Sequence, residues 1–492
     1  MNILLIYPIF PDTFWSFSYA LSFIGKKAAL PPLGLITVAA LLPDHFQMRL
    51  VDLNVSALGE DDLAWADMVF ISAMAVQRRS AMNVIDRCKA KGLTIVAGGP
   101  LFTAQPNDFR QVDHLVLDEA EATMPAFLAD LENGCPKPLY RASEYPDIRR
   151  SPIPLWGLID FRRYASLSIQ YSRGCPFNCE FCNITALLGR IPRTKTPQQV
   201  VGELDAIYQA GWRGNIFFVD DNFIGNKPML KEHLLPELIK WRQDKKGFVF
   251  FTEASINLAD DPELMDMMAQ AGFDSVFIGI ETPDTDSLTE CCKTQNRNRD
   301  LLQDVKKIHR SGLQVMGGFI VGFDNDPPSI FQRQIDFIQQ SGIVTAMVGM
   351  LQAPPGTRLF ERLARVHRVT GDFSGDNVDG CTNIIPAMGL DKLIAGYHAI
   401  MKEIYSPRQY YQRVKRILGD LKAPVATNPV EFQRVLAFWR AGLRLGILGK
   451  ERFQYWRLLA WTLTRRPRLL PQAVTLAIFG YHFRRICELH IH

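Results

Sequence analysis

Eleven short apolar runs recur along the chain as far as Leu351, and most are followed by a stretch with helical periodicity. This alternation constrains the fold more than any other feature, because parallel strands must be joined by crossovers, usually helices. The runs fall into two sets. The first set is Ile3–Tyr7, Met48–Asp52, Met68–Ala73, Leu93–Gly98 and His114–Leu117, with helical periodicity at Leu33–Leu42 and Ser80–Lys91. It predicts a doubly wound parallel sheet over residues 1–134. The second set is Leu167–Ser172, Ile216–Asp220, Phe248–Glu253, Ser275–Glu281, Val315–Gly322 and Val344–Leu351, with helices starting near Pro197, Pro228, Asp261, Asn298, Pro328 and Thr357. It predicts a partial (β/α)6 barrel over 165–365. A polar, proline-dotted linker is expected at 135–164, and a helical domain from 366 to 492.

Composition excludes several classes. Of 492 residues, 47% are hydrophobic and 22% charged, the balance of a globular protein with a large core. No apolar run approaches the roughly 18 residues of a spanning helix. The opening Met-Asn-Ile-Leu-Leu-Ile-Tyr-Pro has neither basic region nor cleavage site, so it reads as a strand and not a signal peptide. Nine cysteines are too few for a disulfide framework at this length, which points to a reducing cytosol. Charge is divided unevenly. Residues 401–492 hold 17 Lys and Arg against 5 Asp and Glu, while the remaining 400 hold 38 against 46.

Ligands on parallel sheets sit at the carboxyl ends of the strands. In the first set those ends are Asp52-Leu53-Asn54, Ser72 to Gln77, Gly98-Gly99-Pro100 and Asp118-Glu119-Ala120-Glu121. No Gly-x-Gly-x-x-Gly follows the first strand, so a nicotinamide-type fingerprint is missing. Gly98 and Gly99 would admit a bulky ligand close to the backbone, though an ordinary turn explains them equally well. In the second set the ends carry cysteines, Asp220-Asp221-Asn222, Glu253 with Ser255, Glu281, Gly322-Phe323-Asp324 and Gln352.

The cysteines decide the chemistry. Arg173-Gly174-Cys175-Pro176-Phe177-Asn178-Cys179-Glu180-Phe181-Cys182 spaces three thiols as Cys-x3-Cys-x2-Cys on one loop. Three thiolates can ligate three irons of a [4Fe–4S] cluster and leave the fourth open to a substrate or cofactor. Structural zinc would want four ligands at Cys-x2-Cys spacing, and no fourth is nearby.

This loop resembles that of the radical S-adenosylmethionine enzymes, down to the aromatic Phe181 before the last cysteine. Phe218-Val219-Asp220-Asp221-Asn222, Gly279-Ile280-Glu281-Thr282-Pro283, Gly318–Phe323 and Pro354-Pro355-Gly356-Thr357 look like further elements of that family, in the family's order. A flavodoxin-like sheet ahead of the barrel is similar to the cobalamin-binding class. Gly25–Leu35, Lys195-Thr196-Pro197 and the Trp- and Arg-rich C-terminal extension resemble the hopanoid C-2 methylase subgroup. Asn183 stands where Asp is usual.

The resemblance implies three cofactors. A [4Fe–4S] cluster would sit on Cys175, Cys179 and Cys182, with S-adenosylmethionine chelated by the open iron and reductively cleaved to a 5′-deoxyadenosyl radical. Phe181 would lie along the adenine, while Glu253, Ser255, Glu281, Asp220 and Asp221 are candidates for ribose and methionine contacts. Cobalamin would be base-off, because no Asp-x-His-x-x-Gly is present: His45 and His114 follow an aspartate directly. Its candidates are Asn54, Ser72, Gln77, Gly98, Gly99 and Glu119, with Gln77 expected at the lower cobalt face; a helix-start glutamine in water is the plain alternative.

The implied function is a cytoplasmic methylase acting on an unactivated carbon of a lipid-like, hopanoid-type substrate, and fed by a flavodoxin or ferredoxin. Two alternatives stand beside it: radical cyclisation or rearrangement, for example of a tetrapyrrole, and a cobalamin or redox sensor. Methylthiolation of tRNA needs a second cluster, for which only Cys88 precedes Cys135. Phe453, Trp456, Ala460 and Leu463 share one helical face among arginines, which suits peripheral docking on an anionic membrane surface or, equally, an inward-packed helical lid. Nucleic acid is not expected.

Overall fold

The computed structural model describes residues 1–371, 373–376, 378–422 and 432–490. Its first sheet has six parallel strands: β1 (Asn2–Tyr7), β2 (Gln47–Asp52), β3 (Met68–Ser72), β4 (Thr94–Gly98), β5 (His114–Val116) and β6 (Leu139–Tyr140). Ile3 and Leu5 pack on one layer with Leu35, Ala39 and Phe127, while Leu4 and Ile6 pack on the other with Val84, Ile85 and Leu101. Helices cover both faces, so the run is continuously apolar and not alternating. Each such fully buried side chain contributes about 1.5–3 kcal/mol. The spatial order is β2-β1-β3-β4-β5-β6. It reverses between β1 and β3, which opens a crevice beyond the carboxyl ends of those strands.

Five of the six strands match the expected runs. The sixth lies in the stretch expected to be a linker. Leu139–Tyr140 pairs with β5, and Tyr140 is anchored by Lys137 N–H at 2.7 Å, by Asp130 at 2.9 Å and edge-on to Phe127. Two residues bracketed by polar neighbours carry no periodicity that could announce a strand. The rest of 135–164 is also packed, with Ile148, Trp156 and Tyr164 buried.

The second sheet is the open half-barrel. Its strands are β7 (Ser166–Ile169), β10 (Gly214–Phe218), β11 (Phe248–Glu253), β12 (Phe273–Glu281), β13 (Gln314–Val321) and β14 (Ala346–Met350), all parallel and in sequence order. Between β7 and β10, the short strands β8 (Ser172–Arg173) and β9 (Arg193–Thr194) form an antiparallel pair of their own. The first barrel run therefore ends at Ile169 and not at Ser172. Asp220 takes up the amides of Tyr171 and Ser172, which the ladder would otherwise use. A short helix, Thr285–Glu290, follows β12 where none was expected, and the next one starts at Leu301.

The described residues between 366 and 389 are not helical, contrary to expectation. Gly371, Gly375, Gly380, Gly389 and Pro386 break them up, and the first C-terminal helix is Leu390–Ile404. It is followed by Pro407–Asp420, Phe432–Ala441, Arg452–Arg465 and Leu470–His490. These helices share the barrel's core: Leu393, Tyr410, Ile417, Leu458 and Phe483 belong to one buried cluster with Ile216, Ile278 and Val315. Phe14, from the N-terminal region, stacks on Phe483 with ring centroids 4.2 Å apart. In Arg452–Arg465 the buried side is Tyr455, Leu458, Leu459 and Thr462; Phe453, Trp456, Ala460 and Leu463 face outward.

Candidate active site

The cysteine loop leaves β8 through Gly174, whose φ of +94° favours glycine and whose Cβ would lie 2.8 Å from the Ile191 carbonyl. Its root is held by Asp220, buried at the end of β10, which accepts hydrogen bonds from Tyr171 N–H at 3.1 Å, from Ser172 Oγ at 2.6 Å and from Ser172 N–H. Between the thiols, the buried Glu180 is clamped by Arg362 at 2.7 and 3.1 Å. Asn222 Nδ2 lies 3.9 Å from Cys175 Sγ, and Gln295 Nε2 lies 3.7 Å from Cys179 Sγ. N–H groups aimed at sulfur are the outer-shell partners a thiolate-bound centre uses.

Burial pushes the Cys182 thiol up to about 12 and raises Cys175 as well. Positive charge from a metal centre is what such buried thiols need to ionise. Among the described residues no three His, Cys, Asp or Glu side chains are gathered closely enough for a single ion. A cuboidal cluster asks something different, since each thiolate meets its own iron. The donor set therefore fits the cluster better than zinc.

Lys293 is the cationic centre of this rim. Its ammonium is 2.6 Å from Glu281 Oε1 and 5.9 Å from the Phe181 ring centroid. Burial opposes its charge, but Glu281, Cys179 and Cys182 together hold it protonated beyond its usual range. Glu281 reaches it from a left-handed backbone, φ +62°, and any side chain at Gly279 would overlap its carboxylate. Ser255 N–H donates to Asn222 Oδ1 at 3.2 Å and its hydroxyl to Asn257 Oδ1 at 2.6 Å, tying the ends of β10 and β11 together.

A cavity of about 2350 Å³ runs from the carboxyl ends of the first sheet along the inside of the half-barrel. Drug-sized ligands occupy pockets of about 300–1,000 Å³, so this one has room for more than a single small molecule. Of the residues predicted for cofactors, Asn54, Ser72, Gly98, Gly99, Glu119, Asp221 and Glu253 line it. Phe181, Asp220, Ser255, Glu281 and Gln77 stand outside its wall, and Asn183 and Ile184, directly after Cys182, form that part of the lining. Phe181 packs against Phe323, with ring centroids 6.2 Å apart.

Two carboxyls face the cavity in a protonatable state. Burial, then the neighbouring Asp221 and Asp220, raises Glu253 to about 8. Burial and Asp220 raise Asp221 to about 7, and its buried Oδ2 has no hydrogen-bond partner among the described residues. Asp220 itself is raised to about 6 by burial, against the pull of Ser172 and Tyr171.

On the first sheet, Gly98 is required because a Cβ there would lie 2.5 Å from the Val116 carbonyl, and Gly99 has φ +92°. Asn54 is used internally, binding Asp52 at 2.7 Å and Phe10 N–H at 2.8 Å. Gln77 differs from its expected place. It is buried, accepts from Met74 N–H at 2.8 Å and donates to the Pro8 carbonyl at 2.5 Å, so Met74 and Val76 are what this loop presents to the cavity. A side chain that starts a turn satisfies its own backbone first.

The seam between the sheets is ionic. Arg173, immediately before the cysteine loop, binds Glu119 at 2.7 Å and Glu121 at 2.9 Å, and Arg193 binds Glu119 at 2.6 Å. The guanidinium of Arg173 overcomes burial and takes Glu121 down to about 2. Sequence reasoning gave no role to Arg173, Arg193, Lys293 or Gln295. Only Arg173 carried a signal, its place in the cysteine motif.

A cysteine loop built for a cluster, whose flanking Arg173, Asn183 and Ile184 line the cavity floored by a doubly wound sheet, defines with that sheet a cobalamin-dependent radical S-adenosylmethionine enzyme; the three cysteines themselves stand behind the cavity wall. The B12 binding domain matches residues 27–128, the radical SAM superfamily residues 169–338, and a domain of unknown function, DUF4070, residues 357–492. An uncharacterized methyltransferase of Synechocystis sp. is 42% identical, over 99% of this chain and 92% of its own length. The hopanoid C-2 methylase of Rhodopseudomonas palustris is 34% identical, over 93% of this chain and 88% of its own. The structure of the cobalamin-dependent S-adenosylmethionine radical enzyme OxsB with aqua-cobalamin bound superposes with a TM-score of 0.64 at 15% identity, covering 99% of this chain and 80% of that one. The chain belongs to the cobalamin-dependent radical S-adenosylmethionine methyltransferases.

Proposed function

We propose that the protein methylates an unactivated carbon of a lipid-like, polycyclic substrate of hopanoid type. The observation that carries this is the cavity's inner wall, where Phe217, Phe251, Phe277, Met316 and Met347 make an apolar slot inside the barrel, with Phe217 and Phe251 stacked 4.8 Å apart. A fused hydrocarbon ring system matches such a wall, and the similarity to a hopanoid C-2 methylase supports the same class.

When bound, the cluster and S-adenosylmethionine supply radical chemistry and cobalamin supplies a methyl carrier. The protein's share is to bind and orient. Cys175, Cys179 and Cys182 hold the cluster, and Lys293 and Phe181 set the charge and shape beside it. Glu253 and Asp221, carboxyls raised to about 8 and 7, offer hydrogen-bond donors to ribose or methionine groups at neutral pH. Ser255, Glu281 and Asp220 hold those strand ends in place. Gly98, Gly99, Ser72 and Asn54 floor the cobalamin side, and Glu119 braces it through Arg173 and Arg193.

The lining, which holds no histidine among the described residues, supports base-off cobalamin, which Met74 and Val76 would meet from this loop. Among the described residues no helix is long and apolar enough to cross a membrane. The reading places the enzyme in the cytoplasm, served by a flavodoxin- or ferredoxin-type electron donor, with a peripheral contact at the inner membrane face.

The test is anaerobic incubation of reconstituted enzyme with cobalamin, a reductant, methyl-deuterated S-adenosylmethionine and detergent-dispersed polycyclic lipids. A product carrying the intact deuterated methyl group is expected. Turnover of a tetrapyrrole to a product without the label would overturn methylation in favour of cyclisation.

A further inference from the structure

We propose that the outward side of Phe432–Ala441, the following turn Gly442–Ile447 and Arg452–Arg465 is a docking surface for an anionic lipid bilayer, set at the mouth of the cavity. This rests on the lipid-substrate reading above and gives that substrate its route.

The surface is apolar where a helical lid would be polar. Trp439 is 70% exposed, Leu448 73% and Phe453 73%, with Leu443, Ile447, Trp456 and Leu463 each at least half exposed. They lie on or directly beside three consecutive elements. The Trp456 indole donates to the Gly446 carbonyl at 2.9 Å, which joins the second helix to the turn. Exposed apolar patches of this kind mark a binding surface, and aromatic rings beside basic residues suit the headgroup boundary.

Charge selects the occupant. Lys450, Arg452, Arg457 and Arg465 are exposed around the patch, and the Arg452 guanidinium lies 5.1 Å from the Phe453 ring. Arg440 and Arg444 are committed inward, to the Phe23 carbonyl and the Ser22 hydroxyl. The segment 432–465 contains a single acidic residue, Glu451, which is buried and paired with Arg484. A surface of cations and apolar rings with no exposed carboxylate complements lipid phosphates over hydrocarbon.

Continuity sets the direction. Val435, Ala437 and Phe438 of the first of these helices also line the cavity, as do Leu469 and Leu470 just after the second. A lipid leaving the bilayer at the patch would meet Val435, Phe438, Leu469 and Leu470 on the cavity wall.

The experiment is flotation of full-length, cofactor-loaded protein with vesicles of phosphatidylcholine alone, or mixed with phosphatidylglycerol. Binding should require the anionic lipid, weaken with salt, and fall roughly tenfold or more in Trp439→Ser/Leu448→Ser/Phe453→Ser and in Lys450→Gln/Arg452→Gln/Arg457→Gln/Arg465→Gln. In wild type, brominated lipid should quench tryptophan emission, a readout that needs no variant. No flotation with anionic vesicles, equal flotation with neutral ones, or unquenched tryptophans would overturn the docking surface. Failure here is separable from failure of the substrate reading: methylation of detergent-dispersed lipid without vesicle binding sinks only the surface, and vesicle binding without any lipid product sinks only the substrate.

Discussion

The two parallel sheets bring their strand ends to one cavity but equip them differently. The barrel ends carry reactive side chains: the carboxyls of Asp221 and Glu253 line the cavity, and the three thiols and the Glu281–Lys293 pair stand behind that wall. The first sheet spends most of its polar side chains on other protein groups. Asn54 and Gln77 satisfy loop backbone, Glu119 is held by two arginines, and the cavity meets glycine backbone, Ser72, Met74 and Val76. One sheet is a chemical surface and the other a shaped floor. A large ligand that brings its own reactive metal needs little more than the floor.

Substitutions that attack this contrast should differ in size. Cys179→Ala, on the chemical side, should lose most of the roughly four irons per chain and depress S-adenosylmethionine cleavage by roughly 10³-fold or more, read by iron analysis and product chromatography. Full iron with normal cleavage would break the assignment.

Arg173→Met attacks the seam. It leaves Glu119 and Glu121 buried with fewer partners, which should cost about 3–5 kcal/mol in denaturant unfolding at neutral pH. With its pKa lowered to about 2, Glu121 contributes stability that is present above the ordinary carboxylate range and is lost as pH falls toward 2. The variant's deficit should therefore shrink in acid.

Gly98→Ala attacks the floor. Its Cβ would press on the Val116 carbonyl, a backbone atom, so a loss of about 1–3 kcal/mol and weaker cobalamin binding are expected, with the iron content unchanged.

The smallest effect is Glu253→Gln. A carboxyl raised to about 8 favours its neutral form in the folded protein, so wild-type stability drains away as pH rises from about 4.5 through 8. The variant should be more stable than wild type at pH 8 and equal to it near pH 4. A gain that ignores pH would contradict the raised value.

The same contrast explains what could be read in advance. The cysteine spacing is a chemical signature within ten residues, and strands buried on both faces announce themselves as apolar runs, so the barrel and its cluster loop were legible. Gln77 was misplaced because composition cannot tell a side chain that faces a ligand from one that caps its own turn. Lys293 and Arg173 act across long sequence separations, on Phe181 and on Glu119 and Glu121, and no local pattern encodes such pairs. The face of Phe453, Trp456 and Leu463 has the periodicity of a core stripe, yet points outward. Periodicity defines a face, and only tertiary packing decides which way it turns.

Electron spin resonance tests most directly whether cluster and cobalamin border one cavity. In protein loaded with both, cob(II)alamin should show no nitrogen splitting from the lower face, and its relaxation should quicken when the cluster is reduced in wild type but not in Cys179→Ala. Relaxation indifferent to the cluster's state, or a histidine nitrogen signature on cobalt, would contradict the account.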